Sequence, residues 1–432
     1  MSYRIERDTL GEVRVPQEAY FGAQTQRARE NFPISGLRLP RAFIRAQGII
    51  KAAAAHANRQ VGMLEGRLAD AIIQAAEEVV DGRWDDHFVV DVFQAGAGTS
   101  QNMNANEVIA RRASELLGGL EHKPLPVHPN DHVNMAQSTN DTIHVAINIA
   151  AAEQLVHRLL PALGRLHDAL AEKAAAFYPI VKAGRTHLQD AVPIRLGQEF
   201  GGYAATLMGN LRRLEEALED LYRIGLGGNA VGTGINAHPD YPRLAVQHIA
   251  ECTGLPFRLS EDRFAFMQNT HGALRTSGAL KQLAVDLIKI SSDIRLLSSG
   301  PCTGLAEIRL PAVQPGSSIM PGKVNPVMAE MLYMVGCQVI GADAAITAAG
   351  MGSQLEINVM MPVIAWNLLH AIDILTNGMD VFAERCVKGI EADEARCRYW
   401  LERSAALATV LNPVLGYERT AQLVRQALAE NR

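Results

Sequence analysis

Five long stretches rich in alanine and leucine limit most strongly how this chain can fold. Their apolar residues recur at helical spacing, as Leu280, Leu283 and Leu287 do in the third stretch. The stretches are Ile143–Phe177, Leu196–Arg223, Leu274–Ser298, Pro326–Ala348 and Val359–Glu384. With little β signal beside them, they predict an elongated all-α bundle. Helices this long, with few charges in places, also predict burial against other subunits.

The rest of the chain divides around this bundle. Residues 1–40 are predicted to be irregular, and helices are predicted over Arg41–Leu64 and Gly66–Val80. A proline-rich connector, Lys123–Pro129, precedes the bundle, and a small helical tail follows Gly389. We therefore predict an N-terminal domain over 1–138, a central helical domain over 139–390 and a short C-terminal domain over 391–432.

Composition excludes several classes of protein. The chain has 432 residues, of which 48% are hydrophobic, and a net charge of −5, so it can bury a large core. A pI near 6.2 without a basic tract argues against nucleic-acid binding. Five scattered cysteines without a CxxC spacing argue against a disulfide framework or a zinc site and predict a cytoplasmic protein. We also expect no signal peptide and no membrane span.

One loop, Gly316–Val327, carries polar groups that a simple connection between helices does not need. Its glycines, prolines and serines exclude a regular element. The polar side chains are those of Ser317, Ser318, Lys323 and Asn325. Together with backbone N–H groups exposed at the glycines, they could bind a carboxylate and stabilise an oxyanion. A nucleotide phosphate loop is excluded, because the glycine spacing is one residue too long and Val324 replaces the hydroxyl residue that binds magnesium.

Two polar segments precede predicted helices, and each permits two interpretations. The glycine turn within Asp91–Asn106 either caps the helix that continues to about Leu117 or binds an anion at its N-terminus, and the cap is the simpler interpretation. Ser138, Thr139 and Asn140 are likewise good capping residues.

Two further loops separate the long helices. Thr186 and His187 stand between glycine and proline, where a histidine is ordinarily just solvated. The segment Gly225–Asn236 is rich in glycine, but it follows a charged helix instead of a strand, which argues against a dinucleotide site.

In this order, the segments resemble the fumarase/aspartase superfamily, in particular the branch of class II fumarases and aspartate ammonia-lyases. The matching motifs are AGAGTSQNMNANE, HPNDHVNMAQSTND, GRTHLQDAVP, AVGTGIN, GSSIMPGKVNPV and LNPVLGYE, and they cover almost the whole chain. The resemblance implies an all-α, three-domain subunit whose five long helices join a twenty-helix homotetramer core. It also implies active sites shared by three subunits and a small dicarboxylate substrate, with no cofactor and no metal.

The resemblance also implies roles for the polar residues. In this family a proton leaves one carbon of a succinyl-type substrate and an amine or hydroxyl leaves the next, giving fumarate through an aci-carboxylate intermediate. Ser317 would be the base, activated by backbone N–H groups. The carboxylate that becomes the aci form would be held by Thr99, Ser138, Thr139 and Ser318. The other carboxylate would be held by Lys323, Asn325 and Thr186. The leaving group would be surrounded by Asn140, Thr186 and His187, and Glu330 matches the acid that pairs with the histidine in fumarases.

The leaving group is less determined by these motifs. We predict an aspartate ammonia-lyase, because Thr139, Val327-Met-Ala-Glu330 and Gly352–Pro362 resemble aspartases. A class II fumarase, converting L-malate to fumarate and water, is the alternative, since the N-terminal third and His128-Pro-Asn-Asp131 look fumarase-like. A catalytically silent structural homologue is a further alternative, against which the complete catalytic set argues.

Several positions depart from the family pattern. His128, Asn130 and Asp131 form a possible second dicarboxylate site, although Leu125 stands where fumarases carry an arginine of that site. His144 and Cys302 replace the usual residues and leave open a substituted aspartate as the substrate. The C-terminal tail is shorter than in many family members.

Overall fold

A computed structural model describes residues 2–122 and 124–430, so that Lys123 of the predicted connector lies outside the described part. The α-helices are α1 (Ala23–Asn31), α2 (Arg41–Gln60), α3 (Gly66–Val80), α4 (Thr99–Leu116), α5 (Thr139–Gln154), α6 (Leu160–Phe177), α7 (Leu196–Leu221), α8 (Tyr241–Thr253), α9 (Arg263–Gln268), α10 (His271–Leu297), α11 (Val327–Gly350), α12 (Met361–Arg385), α13 (Glu394–Glu402), α14 (Asn412–Leu415) and α15 (Tyr417–Ala429). The strands are β1 (Tyr3–Asp8), β2 (Gly11–Pro16), β3 (Val181–Thr186), β4 (Gln189–Arg195), β5 (Arg223–Ile224), β6 (Arg258–Leu259), β7 (Ile308–Arg309) and β8 (Glu391–Ala392).

The mainly helical fold and the five long helices are confirmed. Four of them are α7, α10, α11 and α12, and the fifth is α5 followed by α6. A π-helical turn, Leu155–Leu159, lies between α5 and α6. It therefore interrupts the stretch that is predicted as one helix without ending the helical path.

The prediction of an irregular segment over residues 1–40 is wrong. Strands β1 and β2 form an antiparallel hairpin, with pairs from Tyr3↔Pro16 to Asp8↔Gly11, and α1 follows. In β2 the buried Val13 and Val15 alternate with charged residues. This period of two is the signal of a half-buried strand. It is easily overlooked in six residues that are bounded by glycine and proline.

The chain forms two compact units, each assembled from three separate segments. The first unit comprises Met1–Leu159, Arg213–Lys281 and Val339–Asp373. The second comprises Leu160–Arg212, Gln282–Gln338 and Ile374–Arg432. The three consecutive domains expected from the sequence remain a prediction.

In the first unit, small residues allow helices to pack closely. A Cβ added to Gly48 of α2 would lie 2.9 Å from the Val80 side chain at the end of α3. Helix α4 packs beside them with Asn102, Asn104 and Asn106 fully buried. Because buried amides need hydrogen-bond partners, these asparagines indicate a polar layer inside the unit.

Helix α11 is the one helix of the described residues that is long and apolar enough to cross a membrane. This finding rests on length and composition alone, and one such helix is weak evidence for a membrane span. Only 33% of its apolar window is buried in the subunit. Its Asp343 is buried and accepts hydrogen bonds from Ser277 at 2.7 Å and Lys281 at 2.6 Å. The exposed apolar side chains of α11 therefore need another cover.

Candidate active site

Two helix N-termini meet in the first unit and bring together four of the predicted site residues. Thr99 is the first residue of α4, and Thr139 is the first residue of α5. A Cβ added to Gly98 would lie 3.0 Å from the Ile143 side chain, so the start of α4 packs on the second turn of α5. Unpaired N–H groups and the helix dipole favour an anion at such a position.

The caps of the two helices differ. Gly98, with φ 85°, is the N-cap of α4 and has no capping side chain, but the Gln94 side-chain oxygen accepts the Gln101 N–H of the first turn at 2.8 Å, so an amide of the glycine turn caps α4, as the simpler interpretation expects. Ser138 does cap α5: its hydroxyl accepts the Asn140 N–H at 3.2 Å, and its own N–H donates to Asp141 at 2.9 Å. Thr139 accepts a hydrogen bond from Asn102 Nδ2 at 3.2 Å. The hydroxyl protons of Ser138 and Thr139 therefore remain available to a ligand.

The glycine-rich segment 225–236, which has no predicted role, is hydrogen-bonded to the first turn of α5. Asn140 Nδ2 donates to the Ala230 carbonyl at 2.8 Å. The Asp141 carboxylate accepts the N–H groups of Gly227 at 3.0 Å and Asn229 at 2.9 Å. Asp141 is fully buried, and burial raises its pKa to about 6. The only sequence signal for this role is the glycine content, which permits the close approach.

His144 lies one turn further along α5 and does not join the four site residues. It is 4% exposed, and its ring lies 4.9 Å from that of Phe266. It lines a separate cavity of about 490 Å³, and burial lowers its pKa to about 3. Cys302 is exposed and free. Within the part of the chain that the structure describes, His144 thus lines a cavity apart from the four site residues, and the meaning of both departures for the substrate stays a prediction.

In the second unit, Thr186 and His187 lie at the tip of a β-hairpin: Thr186 belongs to strand β3, contrary to its prediction as a loop residue, whereas His187 does lie in the two-residue turn. Thr186 ends β3 and pairs with Gln189 of β4. The two turn residues, His187 and Leu188, have φ 57° and 61°. Positive φ at both central residues is the geometry of a type I′ turn. It exposes the imidazole at the end of the hairpin.

A buried ion network holds the base of this hairpin. Lys182, in β3, lies 2.8 Å from Glu307 and 2.8 Å from Glu199. Arg185, directly before Thr186, lies 3.0 Å from the same Glu307. The side chain of Glu307 is fully buried and that of Lys182 is 1% exposed. Since a buried charge without its partner is costly, the network restrains the strand that carries Thr186.

In the second unit, the loop Gly316–Val327 is organised around Ser317. The Ser317 hydroxyl oxygen accepts the N–H groups of Ile319 at 3.2 Å and Met320 at 2.9 Å. Gly316 closes the loop by donating to the Lys323 carbonyl at 2.8 Å, and Asn325 Nδ2 donates to the Gly316 carbonyl at 2.7 Å. A Cβ on Gly316 would lie 2.3 Å from that Lys323 oxygen. Only glycine therefore fits there.

Two N–H donors on one hydroxyl oxygen have a chemical consequence. They stabilise the deprotonated form more than the neutral form, which favours an alkoxide at Ser317. The side chains of Ser318 and Lys323 are exposed beside it, and Lys323 makes no ion pair with any residue in the described ranges. The loop thus presents the Ser317 oxygen, with two N–H donors, and the exposed ammonium of Lys323.

Glu330 and the possible second site have other neighbours. Glu330, in the first turn of α11, lies 3.8 Å from Arg295, and no ion pair joins it to His187 among the described residues. His128 Nδ1 accepts the Asp131 N–H at 3.1 Å at the start of an exposed π-helical turn, and Asn130 is exposed beside them. The possible second dicarboxylate site stays a prediction.

The predicted residues thus divide between the two units. The first unit contains Thr99, Ser138, Thr139 and Asn140. The second contains Thr186, His187, Ser317, Ser318, Lys323, Asn325 and Glu330. In the described residues, no three or more histidine, cysteine, aspartate or glutamate side chains are grouped to hold a metal ion.

Known proteins match the chain over its whole length. A family profile described as "Lyase" matches residues 11–341. "Fumarate hydratase class II 2" of Bradyrhizobium diazoefficiens is 50% identical, over 99% of this chain and 90% of the relative. "Aspartate ammonia-lyase" of Bacillus subtilis is 48% identical, over 99% of this chain and 90% of the relative. A crystal structure of recombinant class II fumarase from Schistosoma mansoni superposes with a TM-score of 0.98 at 38% identity, over 100% of this chain and 94% of that one. This chain is therefore an enzyme of the fumarase/aspartase superfamily of lyases.

Proposed function

We propose that this enzyme is a class II fumarate hydratase that interconverts L-malate with fumarate and water. The observation that supports the elimination chemistry is the hydrogen bonding of the Ser317 oxygen. Two backbone N–H groups donate to it, and they would stabilise the alkoxide that acts as the base. Both the Bradyrhizobium relative and the Schistosoma structure bear the name of a fumarase, which favours water as the leaving group. These relatives therefore favour the fumarase alternative over the aspartate ammonia-lyase that is predicted from the sequence.

The proposed reaction follows from the charges of the site. Ser317, as an alkoxide, takes a proton from C3 of malate, and the electron pair moves into the adjacent carboxylate to give the aci-carboxylate. This dianion needs donors that are already oriented. Thr99, Ser138, Thr139 and Ser318 would supply them, with the N-termini of α4 and α5. Lys323, Asn325 and Thr186 would hold the other carboxylate.

The second half of the reaction expels the hydroxyl group. The electron pair returns to form the C2–C3 double bond, and the hydroxyl leaves as water with a proton from His187. Asn140 and Thr186 would surround the leaving oxygen. Within one chain Glu330 pairs with Arg295 and not with His187. A contact between Glu330 and His187 would therefore require a neighbouring subunit, and such a contact would raise the basicity of His187.

The same proposal includes a homotetramer whose active sites are shared by three subunits. The incomplete burial of α11 supports it. Met334 is 65% exposed on this helix, and Tyr333 is 38% exposed beside it. Apolar side chains on a long helix are stabilised when other helices cover them. Light scattering of the purified protein would give the mass, and a monomeric mass would contradict this part of the proposal.

Aspartate ammonia-lyase is the second candidate. The Bacillus subtilis relative bears that name and is almost as similar as the fumarase from Bradyrhizobium. Thr139 and the Val327-Met-Ala-Glu330 run also favour it. The donors described above suit either leaving group, because the aci-carboxylate is common to both reactions.

The two candidates are separated by the ultraviolet absorbance of fumarate. L-malate and L-aspartate are supplied in parallel at neutral and alkaline pH, with the Ser317→Ala protein as the blank. Fumarate formed from malate alone supports the proposal. Fumarate formed from aspartate alone would replace it with the second candidate, and no fumarate from either would contradict both.

A further inference from the structure

A fully buried lysine lies beneath the meeting helix N-termini of the first unit. Lys51, in α2, is 1% exposed. Its Nζ lies 2.9 Å from Asn102 Oδ1, 3.0 Å from Asn134 Oδ1 and 2.9 Å from Gln137 Oε1. An ammonium group has three donors and no acceptor. Each donor of Lys51 therefore has one amide oxygen as its partner.

This arrangement determines how the amides are turned. A side-chain amide can rotate and exchange its oxygen with its NH₂ group. Because an ammonium can only donate, all three amides must turn their oxygens towards Lys51. The NH₂ group of Asn102 then points to Thr139 Oγ1, at 3.2 Å, and to Asn134 Oδ1, at 3.2 Å. Asn134 Nδ2 in turn donates to the Gln137 carbonyl at 3.2 Å.

The orientation of Asn102 decides what Thr139 can do. Its hydroxyl oxygen accepts from Asn102, so its hydroxyl proton must go to another acceptor. With the Asn102 amide turned the other way, an oxygen would face Thr139 and take that proton. We propose that Lys51 is a positioning residue that, through Asn102, commits the Thr139 hydroxyl to donate to the substrate carboxylate. The identity of that carboxylate rests on the proposed function.

The burial of Lys51 argues against a purely structural role. Removing an ammonium from water costs several kcal/mol even in a relaxed protein, whereas an apolar side chain of this length would cost little. Burial lowers the pKa of Lys51 to about 7, while the buried carboxylate of Asp141 acts in the opposite direction, so the ammonium that orients the three amides is the form present below about pH 7. A positive charge held there also adds to the field of the two helix N-termini, where the aci-carboxylate accumulates negative charge.

Two variants of the full-length protein test the role. Lys51→Met removes the ammonium. Asn102→Asp keeps an acceptor for Lys51 but has no NH₂ group, so Thr139 would donate to the new carboxylate instead of the substrate. Asn58→Ala is the matched control: Asn58 is equally buried in α2 and donates to the Met135 carbonyl at 3.0 Å, without contacting Asn102.

The readout is the binding of two unreactive probes, measured by calorimetry. Succinate has the charge of the ground state, and the ionised form of 3-nitropropionate carries two negative oxygens on one end, like the aci-carboxylate. Both variants should weaken nitronate binding by about 10-fold or more and succinate binding far less, because the lost donor serves the developing charge. Asn58→Ala should leave the ratio of the two affinities unchanged. The value of kcat should fall with the nitronate affinity, while KM changes little.

Three results would overturn the positioning role. The first is an Asn102→Asp protein that folds and keeps the nitronate affinity of the wild type. The second is an equal weakening of both probes, as in a general loss of structure. The third is a wild type that binds neither probe. If Lys51→Met does not fold, Asn102→Asp decides alone, since it retains a partner for the lysine. Failure of the proposed function is distinguishable, because it appears as absent turnover of malate while the probe ratio is measured without turnover.

Discussion

The carboxylate of Asp141 accepts the backbone N–H of Asn229 at 2.9 Å, across 88 positions of the chain. The same carboxylate accepts the N–H groups of Ser138 at 2.9 Å and Gly227 at 3.0 Å. One buried side chain thus joins the cap of α5 to the glycine-rich segment 225–236. The proposed ligands Ser138, Thr139 and Asn140 therefore depend on a residue that need not touch the substrate.

Replacement of Asp141 should destabilise the protein strongly. Asp141→Ala leaves three N–H groups without their acceptor, and each such loss costs about 1–3 kcal/mol when the group is buried. We expect the free energy of unfolding in denaturant to fall by about 3 kcal/mol or more. Asp240→Ala, at an exposed aspartate before α8, is the control and should change little. A fall as small as that of the control would contradict the role given to Asp141.

Replacement of Ser317 should remove turnover without affecting stability. Ser317→Ala deletes the proposed base, which should lower kcat by about 10²–10⁴-fold. The loop is largely exposed, so thermal unfolding should be unchanged. Ser298→Ala, whose hydroxyl donates only to the Arg295 carbonyl, is the control. Full activity of the Ser317→Ala protein would eliminate serine as the base.

His187→Asn should remove the imidazole from the hairpin tip while keeping the conformation of the turn. Asparagine tolerates positive φ well, so the turn with φ 57° at this position should persist. The loss of the imidazole should lower kcat for malate by about 10²-fold or more, and impair an ammonia-lyase less. Leu188→Asn changes the same turn and keeps the imidazole, so it should retain activity. Equal activity of His187→Asn and wild type with malate would exclude the histidine as the proton donor.

The ion pair of Glu78 and Arg112 should make stability depend on pH. Arg112 donates to both carboxylate oxygens, at 2.7 Å and 2.9 Å, and Trp84 Nε1 donates at 2.9 Å. The Arg112 hydrogen bonds, with that of Trp84, hold the pKa of Glu78 below its ordinary value of 4.5, although burial opposes them. The folded state therefore binds the proton less readily than the unfolded chain. The stabilisation is complete above pH 4.5 and is lost as the pH falls through the lower, folded pKa.

Glu78→Gln should reveal this dependence. We expect the variant to lose about 1.5–3 kcal/mol of unfolding free energy at neutral pH, as for hydrogen bonds to charged groups. The difference from wild type should shrink as the pH falls below 4.5. Unfolding in urea at several pH values measures it, and a difference independent of pH would contradict the assignment.

The sequence predicts the helices better than the strands, for a physical reason. The long helices repeat their apolar pattern over many turns, so their limits lie close to those observed. The hairpin β3–β4 has only seven residues in its longer strand and places Thr186 and His187 at a turn without glycine or asparagine. The usual signals of a type I′ turn are therefore absent.

Long-range contacts explain what the sequence does not predict in the site. Lys51 lies in an alanine-rich helix, where a charged residue is ordinarily assigned to the exposed face. Its partners Asn102, Asn134 and Gln137 are 51 to 86 positions away. The segment 225–236 is likewise joined to α5 through Asp141, and its composition carries no sign of that partner. The motifs thus predict the residues of the site but not the groups that orient them.

The positive φ of Leu188 also matters for protein engineering. This side chain is 72% exposed, and its left-handed backbone costs an L-residue about 1–2 kcal/mol. Glycine or asparagine would relieve that cost, so a selection for heat resistance should reach this position early. A selection for turnover would instead preserve His187 beside it. Two adjacent positions at the tip of one hairpin should therefore respond differently to the two selections.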